Sequence, residues 1–158
     1  MKWFIFIVLG LLTVIGIVLI ALSMASREQP DLGIKNGQLT LCPSKLNCVC
    51  SEDPADVAYI KPFSYTLPAN EAWASIKSVI KESGGRVIAE ETDYLRAEYE
   101  TVLLRFIDDI EFRIDRQHQH IQVRSASRVG RSDLGANRQR VEQLRTWFNN
   151  LKMDSYVN

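Results

Sequence analysis

The chain has 158 residues, of which 46% are hydrophobic, so it can form one domain with a substantial core and short accessory segments. Its 19 Lys and Arg residues balance 19 Asp and Glu residues, and the two kinds of charge are interspersed. A chain without net charge has no global field to attract a polyanion, so no nucleic-acid partner is expected.

The N-terminal segment Trp3–Met24 holds 22 residues without a charged side chain. As a helix it would be about 33 Å long, enough to cross a hydrocarbon core of about 30 Å. We therefore predict a transmembrane helix over residues 3–24, with the lipid bilayer as its partner. A cleaved signal peptide is the alternative, because Ser23-Met24-Ala25 offers a small-residue cleavage site. The apolar region of such a peptide is usually only about 7 to 15 residues long.

Turn-forming residues dominate residues 25–41, which predicts a linker followed by a single domain over 42–152. Three cysteines stand together in the segment LCPSKLNCVCS at the start of this domain. Clustered thiols in a short exported domain favour a disulfide, and Cys42–Cys48 is the preferred pair because it closes a small loop containing Pro43. A metal site is the alternative, but the spacing matches no common zinc motif, so no metal and no cofactor are expected.

The cysteines also bear on location, since charge hardly distinguishes the two orientations of the apolar segment. Lys2 lies before the segment, and Arg27 and Lys35 lie after it. A disulfide forms and persists outside the reducing cytoplasm. We expect a single-pass protein of the cell inner membrane, with its N-terminus in the cytoplasm and its domain periplasmic or otherwise extracytoplasmic.

Beyond the cysteines, hydrophobic periodicity predicts a strand, a helix, four further strands and a final helix. The first strand, Val57–Thr66, contains Pro62 and is expected at a sheet edge. The helix after it ends at Gly84-Gly85, and short polar turns then separate the alternating segments. Short connections favour antiparallel neighbours. The sequence predicts an α+β fold in which an antiparallel sheet of about five strands packs on two helices, preceded by the single transmembrane helix.

One carboxylate is predicted on the buried face of this sheet. Alternation in LLRFIDDIEFRID places Asp108 among apolar residues, where it needs a partner because unpaired burial is costly. Ser125 and Ser127 of the next strand share this face and are expected within reach of Asp108. In the final helix, Asn137 and Arg138 interrupt the apolar stripe, which makes Arg138 the expected partner of Asp108.

Charged residues crowd the opposite face of the same two strands. Asp109 and Glu111 lie on the first of them, and Arg124 and Arg128 lie on the second. Because cross-strand neighbours of opposite charge interact, we expect ion pairs between these two rows on the outer face of the sheet.

The final helix is predicted to have Ser132 or Asp133 as its cap and to bury a stripe from Leu134 to Leu151. The polar residues around it have two interpretations. In the favoured one, ion pairs lock the helix onto the sheet, because each acid has an arginine available. In the other, the arginines hold a small anionic ligand, since guanidinium suits carboxylate and phosphate. The cluster comprises Asp108, Asp109, Arg124, Ser125, Ser127, Arg128, Asp133, Asn137 and Arg138.

Three segments together resemble a known family. LCPSKLNCVCS, FIDDIEF and RSASRVGRSDLGANRQRVE are similar to the family catalogued as domain of unknown function 1499, and the similarity extends from about Asp31 to Leu151. The resemblance implies a bacterial or plastid-type protein that often carries an N-terminal membrane segment or signal, and it implies no activity. The family pattern has serine at the position of Cys50, which implies that Cys50 is the unpaired thiol.

The sequence contains no nucleophile elbow, phosphate-binding loop, zinc-protease motif or dinucleotide fingerprint. It therefore predicts a non-enzymatic, membrane-anchored binding or interaction module whose polar cluster contacts a small anionic ligand or an envelope protein partner. The alternative is a hydrolase or lyase that uses Asp108 or Asp109 as acid or base, with arginines stabilising an anionic substrate. A third possibility is an assembly factor that recruits another chain at the edge formed by Val57–Thr66.

Overall fold

The computed structural model describes residues 2–155 of the chain. Helices and strands alternate irregularly along this range, with two short strands in the segment after the first helix. In chain order the elements are α1 (Lys2–Ala25), β1 (Ile34–Lys35), β2 (Gln38–Leu39), β3 (Cys48–Cys50), β4 (Phe63–Ser64), α2 (Ala69–Glu82), β5 (Arg86–Glu90), β6 (Tyr94–Glu100), β7 (Ile107–Asp115), β8 (His120–Ser127) and α3 (Ala136–Ser155).

Six strands form one antiparallel sheet in the described part of the chain. Its order is β3-β8-β7-β6-β5, and β4 also pairs with β8. Strands β3 and β4 share the edge of β8, since Cys48 lies opposite Ala126 and Phe63 lies opposite Ile121. The predicted α+β fold, with an apolar N-terminal helix and two helices beside an antiparallel sheet, is confirmed. The sheet has one strand more than expected because β3 lies in the cysteine-rich segment.

The predicted edge strand Val57–Thr66 is much shorter in the structure. Only Phe63–Ser64 pairs with β8, because the preceding Pro62 has no N–H to donate to a ladder. The guanidinium group of Arg145 on α3 donates to the backbone carbonyls of Lys61 and Pro62 at 2.5 and 2.8 Å. The edge is therefore already hydrogen-bonded by the final helix at these two residues.

The hydrophobic core lies between one face of the sheet and the helices α2 and α3. At its centre the ring of Phe63 packs edge-on against Phe112 at 5.8 Å and against Phe148 at 5.6 Å. Helix α2 presents the side chains that the helical spacing predicts, including the fully buried Ile76 and Ile80. We call the face of the sheet toward these helices the inner face, and the opposite one the outer face.

Helix α3 begins later than its sequence suggests. Leu134 and Gly135 have φ angles of 54° and 85°, in the left-handed region, so neither belongs to the first helical turn. Leu134 is 96% exposed, and its expected place in the buried stripe was wrong. Within residues 136–151 of α3, the buried residues are Asn137, Val141, Leu144 and Phe148.

Helix α1 projects its apolar surface outward. None of its described residues is buried, and its mean hydropathy reaches 3.2 over 18 residues. The hydroxyl of Thr13 donates to the carbonyl of Leu9 at 2.8 Å, so this polar group is satisfied within the helix. A helix of this length and composition suits a membrane anchor or a signal sequence.

The segment predicted as a linker packs across the outer face of the sheet. Ser26 and Leu39 are buried, and β1 and β2 form a hairpin around Asn36 and Gly37, which both have positive φ. The backbone N–H of Gly33 donates to Glu111 on β7 at 2.9 Å. Both faces of the central strands are therefore covered, one by helices and the other by this segment.

Candidate functional site

Six charged side chains lie side by side on the outer face, under the linker segment. Each is 9% exposed or less. The antiparallel register of β6, β7 and β8 explains why they meet, since Glu111 stands opposite Arg96 on one side and opposite Arg124 on the other. We call them the outer-face cluster, which consists of Arg96, Glu98, Asp109, Glu111, Arg124 and Arg128.

Asp109 lies at the centre of the outer-face cluster and is held by two arginines. Its Oδ1 accepts hydrogen bonds from Nε and Nη2 of Arg96 at 2.9 and 2.7 Å. Arg128 donates from Nε to Oδ2 at 2.7 Å and from Nη2 to Oδ1 at 2.8 Å, and also binds Glu98. Both oxygens of Asp109 are thus engaged by charge-assisted hydrogen bonds from arginine.

Glu111 is the most deeply buried acid of the cluster. Its Oε1 accepts from the Tyr94 hydroxyl and from the Gly33 N–H, each at 2.9 Å, and its Oε2 accepts from Nη1 of Arg124 at 3.1 Å. Burial nevertheless raises the pKa of the Glu111 carboxyl above its ordinary value, against the opposing effect of Arg124. The same burial, together with Glu111, raises the pKa of Tyr94.

Arg124 is less completely paired than its neighbours. Its Nε is buried and has no hydrogen-bond acceptor among residues 2–155. Arg124 also lines a cavity of about 160 Å³ between the linker segment and the sheet. Lys45 and Arg128 bring two further cations to the wall, and the carboxylate there, Asp109, is already paired. We call this the basic cavity, and an anion of the size of a carboxylate or phosphate group suits it.

A second polar group of residues lies on the inner face, where α3 meets β7 and β8. Arg140 donates from Nη2 to Oδ2 of Asp108 at 2.6 Å and from Nη1 to Oδ1 of Asn137 at 2.6 Å. Ser125 donates to the same oxygen of Asn137 at 2.6 Å, and the Asn137 amide donates to Oγ of Ser127 at 3.1 Å. These contacts tie the start of α3 to two strands.

The expected pairing of Asp108 with Arg138 is wrong. Arg138 is exposed and donates to the backbone carbonyl of Tyr59 at 2.9 Å. Arg140 takes the place beside Asp108 because it follows Asn137 by three residues, on the same side of the helix. The two serines expected near Asp108 share its face but bond to Asn137 instead.

Asp133 holds the first turn of α3, whereas Ser132 accepts only from the N–H of Leu134 at 3.2 Å. The carboxylate of Asp133 accepts from the backbone N–H of Gly135 at 2.9 Å, and from the N–H and side-chain amide of Asn137 at 2.8 and 2.7 Å. Burial acts to raise the pKa of Asp133, but these hydrogen bonds outweigh it and lower the pKa below its ordinary value.

The cysteines are arranged as expected. Cys42 and Cys48 form a disulfide, which confirms the preferred pair, and Cys50 is free and buried. Burial raises the pKa of the Cys50 thiol. Among residues 2–155 there is no group of three or more His, Cys, Asp or Glu side chains that could hold a metal ion.

Sequence reasoning missed four residues of these sites. Arg96 and Glu98 of β6 lie on the same face of the sheet as the acids of β7. The two-residue period of the strand could therefore have predicted both. Arg140 follows Asn137 by three residues, so the helical period could have predicted that both lie on the same side of α3. Lys45 had no signal, because its place in the basic cavity depends on how the disulfide loop folds over the sheet.

The fold and site define a small α+β domain whose six-stranded sheet has two helices on its inner face and a buried arginine–carboxylate cluster on its outer face. Within this class, the chain belongs to the family described as protein of unknown function (DUF1499), which matches residues 38–148. The matched range includes the disulfide and both polar groups of residues, and excludes α1. No curated protein gives a significant match to the chain.

Proposed function

We propose that the protein is a membrane-anchored, non-enzymatic binding module that holds a small anion, or the anionic group of a larger molecule, in the basic cavity. The unpaired Nε of Arg124 carries the proposal. A buried donor without an acceptor costs about 1 to 3 kcal/mol, and a bound carboxylate or phosphate oxygen would remove this cost. Lys45 and Arg128 on the same wall favour a ligand with negative charge.

The charge balance of the site supports a ligand with one negative charge. The outer-face cluster pairs three arginines with three carboxylates. Lys45 adds a cation that makes no ion pair within the described part of the chain.

Binding is favoured over catalysis by the pairing of the two candidate acids. Asp109 is engaged by Arg96 and Arg128, and Asp108 by Arg140. A general acid or base has to exchange a proton with its substrate, and arginines that occupy the carboxylate oxygens work against that contact.

For location, we propose that α1 is retained as a single anchor in the cell inner membrane, with the N-terminus cytoplasmic and the domain periplasmic or otherwise extracytoplasmic. The exposed apolar surface of α1 supports an anchor. The Cys42–Cys48 disulfide supports an oxidising compartment for the domain. An envelope protein that presents a carboxylate or phosphate group is an equally suitable source of the anion.

Thermal unfolding with inorganic phosphate as the probe tests the proposal. The full chain in detergent is titrated with phosphate, with chloride adjusted to keep the ionic strength constant. A ligand that binds only the folded state raises the midpoint as its concentration exceeds the dissociation constant. Lys45→Ala removes a cation from the cavity wall, and Lys61→Ala removes an exposed cation that does not line it.

The expected result is a phosphate-dependent rise in the midpoint for the unmodified protein and for Lys61→Ala, and a smaller rise for Lys45→Ala. Equal rises in all three proteins would indicate screening of surface charge and contradict the site. The absence of any rise with phosphate, and with acetate as a monocarboxylate probe, would refute an anion site in the basic cavity.

A further inference from the structure

Three of the most exposed apolar side chains outside α1 belong to two loops. Val102 and Leu103, in the loop between β6 and β7, are 101% and 89% exposed, and Leu134, in the loop before α3, is 96% exposed. Transfer of a side chain of this size out of water is worth about 1.5 to 3 kcal/mol. Loops that present such residues together are typical of a surface that meets an apolar partner.

Both loops lie beside the last turns of α1. One cavity, of about 430 Å³, is bounded by α1 residues from Gly16 to Met24 and by Arg27 on one side, and by residues 103–105 on the other. A second cavity, of about 310 Å³, brings Leu22 of α1 close to Phe106 and Leu134. The two exposed loops therefore flank the C-terminal part of the apolar helix.

The end of α1 is hydrogen-bonded to the sheet. The two loops therefore keep a fixed position along the axis of the helix. Ser26 is fully buried, and its hydroxyl accepts from the N–H of Ile107 at the start of β7 at 3.2 Å. The carbonyl of Ser26 accepts from Nη1 of Arg128 at 3.1 Å. The bond from Ile107 joins the end of α1 to β7, the strand that follows the first loop.

The depth of the first loop in the membrane follows from the rise per residue of α1. Leu19 lines the cavity opposite Leu103 and lies six residues before Ala25, the last residue of α1. Six residues correspond to about 9 Å along a helix. Amphipathic helices that lie on a membrane typically bury their apolar face by about 5 to 10 Å, at the boundary between the lipid headgroups and the acyl chains. If α1 spans the membrane, the loop lies in this layer.

Arginines stand where the headgroups of such a membrane would lie. Arg27 lies two residues after α1, and Arg105 lies near the end of the first loop. Their side chains are 52% and 65% exposed. Both approach Glu100, at 3.9 and 2.5 Å, so they are positioned at the same level. Arginine commonly places its aliphatic part along an apolar surface and its guanidinium group among phosphates.

We propose that the loop Thr101–Phe106 and Leu134 insert into the lipid bilayer beside α1, so that the domain rests on the membrane instead of hanging from a flexible tether. This inference rests on the proposed anchoring by α1. It gives the sheet a defined orientation, with the turn between β7 and β8 farthest from the membrane. That turn lies about 27 Å from the first loop, the length of β7.

Spin-label accessibility measures the insertion directly. Single cysteines at Val102, Leu134, Leu11 and Gln117 are labelled with a nitroxide in the full chain, which is reconstituted in lipid nanodiscs. Cys50 remains in place because it is buried, so we expect it not to react in the folded protein. Val102 and Leu134 are so exposed that the label displaces no neighbour. Oxygen concentrates in lipid and a nickel chelate in water, so their relaxation effects report depth.

Labels at Val102 and Leu134 are expected to favour oxygen over the nickel chelate, as the label at Leu11 in the middle of α1 does. The label at Gln117 is expected to show the reverse. If Val102 and Leu134 behave like Gln117 while Leu11 remains in lipid, the inserted loops are refuted and the anchor stands. If Leu11 is also accessible to the nickel chelate, the anchoring itself is refuted, and the inference fails with it.

Discussion

Arg140 on α3 donates a hydrogen bond of 2.6 Å to Asp108 on β7, and their side chains are only 16% and 6% exposed. The guanidinium group also lies over the ring of Tyr99, with its central carbon 4.8 Å from the ring centroid. The pair therefore stands at the contact between the final helix and the sheet. It explains how a carboxylate is tolerated on the inner face.

Removal of Arg140 is expected to destabilise the fold strongly. Arg140→Ala leaves Asp108 buried without a cation, and loss of one partner of a buried ion pair costs about 3 to 5 kcal/mol. Arg138→Ala is the matched control, because Arg138 is exposed and, within residues 2–155, bonds only to a backbone carbonyl. A cost within about 0.5 kcal/mol is therefore expected. Urea unfolding followed by near-ultraviolet circular dichroism compares the two. Equal destabilisation by both variants would contradict the assigned pairing.

Two arginines share Glu98 and allow a second matched comparison. The side chain of Arg128 is 4% exposed and that of Arg86 is 72% exposed. Arg86→Ala removes an exposed arginine and leaves Glu98 paired with Arg128, so it should cost at most about 1 kcal/mol. Arg128→Ala should cost about 3 to 5 kcal/mol, because Glu98 and Asp109 then lose a buried partner.

Arg128→Ala should also loosen the linker segment, since Arg128 holds the carbonyl of Ser26. Limited trypsin digestion is then expected to cut after Arg27 faster in this variant than in Arg86→Ala. A linker that resists trypsin equally in both variants would show that Arg128 does not hold it.

Thiol counting tests the covalent structure. The unreduced, folded protein should not react with a maleimide, because Cys50 is buried and burial raises the pKa of its thiol. Denaturation without reductant should expose one reactive thiol, and denaturation with reductant three. Three reactive thiols before reduction, in protein purified from its membrane, would count against an oxidising compartment.

The cap of α3 should make stability depend on pH. Asp133→Ala is expected to cost about 1 to 2 kcal/mol near neutral pH, whereas Ser132→Ala should have little effect. The folded pKa of Asp133 lies below its ordinary value of 3.8, so the contribution of its carboxylate is complete above that value. It is lost as the pH falls through the lowered pKa. Unfolding midpoints of the variant and the unmodified protein should therefore converge in acid, and a constant difference would contradict the assignment.

The alternation of residues along the strands predicted most residues of the site. It predicted that Asp108 shares a face with Ser125 and Ser127. It also predicted that Asp109 and Glu111 meet Arg124 and Arg128 on the outer face. These placements depend only on the period of two, which a strand imposes on every neighbour. The disulfide was equally local, because six residues separate its cysteines.

What the sequence did not show depends on packing between distant segments. The sequence predicted helices on one face of the sheet and no cover for the other, but the linker segment covers the outer face and buries Asp109 and Glu111. Nothing in the composition of residues 25–41 indicates this cover, since the same turn-forming residues are typical of a free linker. The wrong partner for Asp108 has a local cause: the left-handed residues before α3 delay the helix, and only the register of the helix on the sheet brings Arg140 to Asp108.

Native mass spectrometry of the full chain extracted from its own membranes tests the central claim most directly. The mass is read for the folded protein and again after denaturation. We expect the folded protein to carry an anionic small molecule that denaturation releases, and Lys45→Ala to carry less of it, while Lys61→Ala retains it. A folded protein without any releasable mass, or one whose retained molecule is unaffected by Lys45→Ala, would contradict a ligand site in the basic cavity.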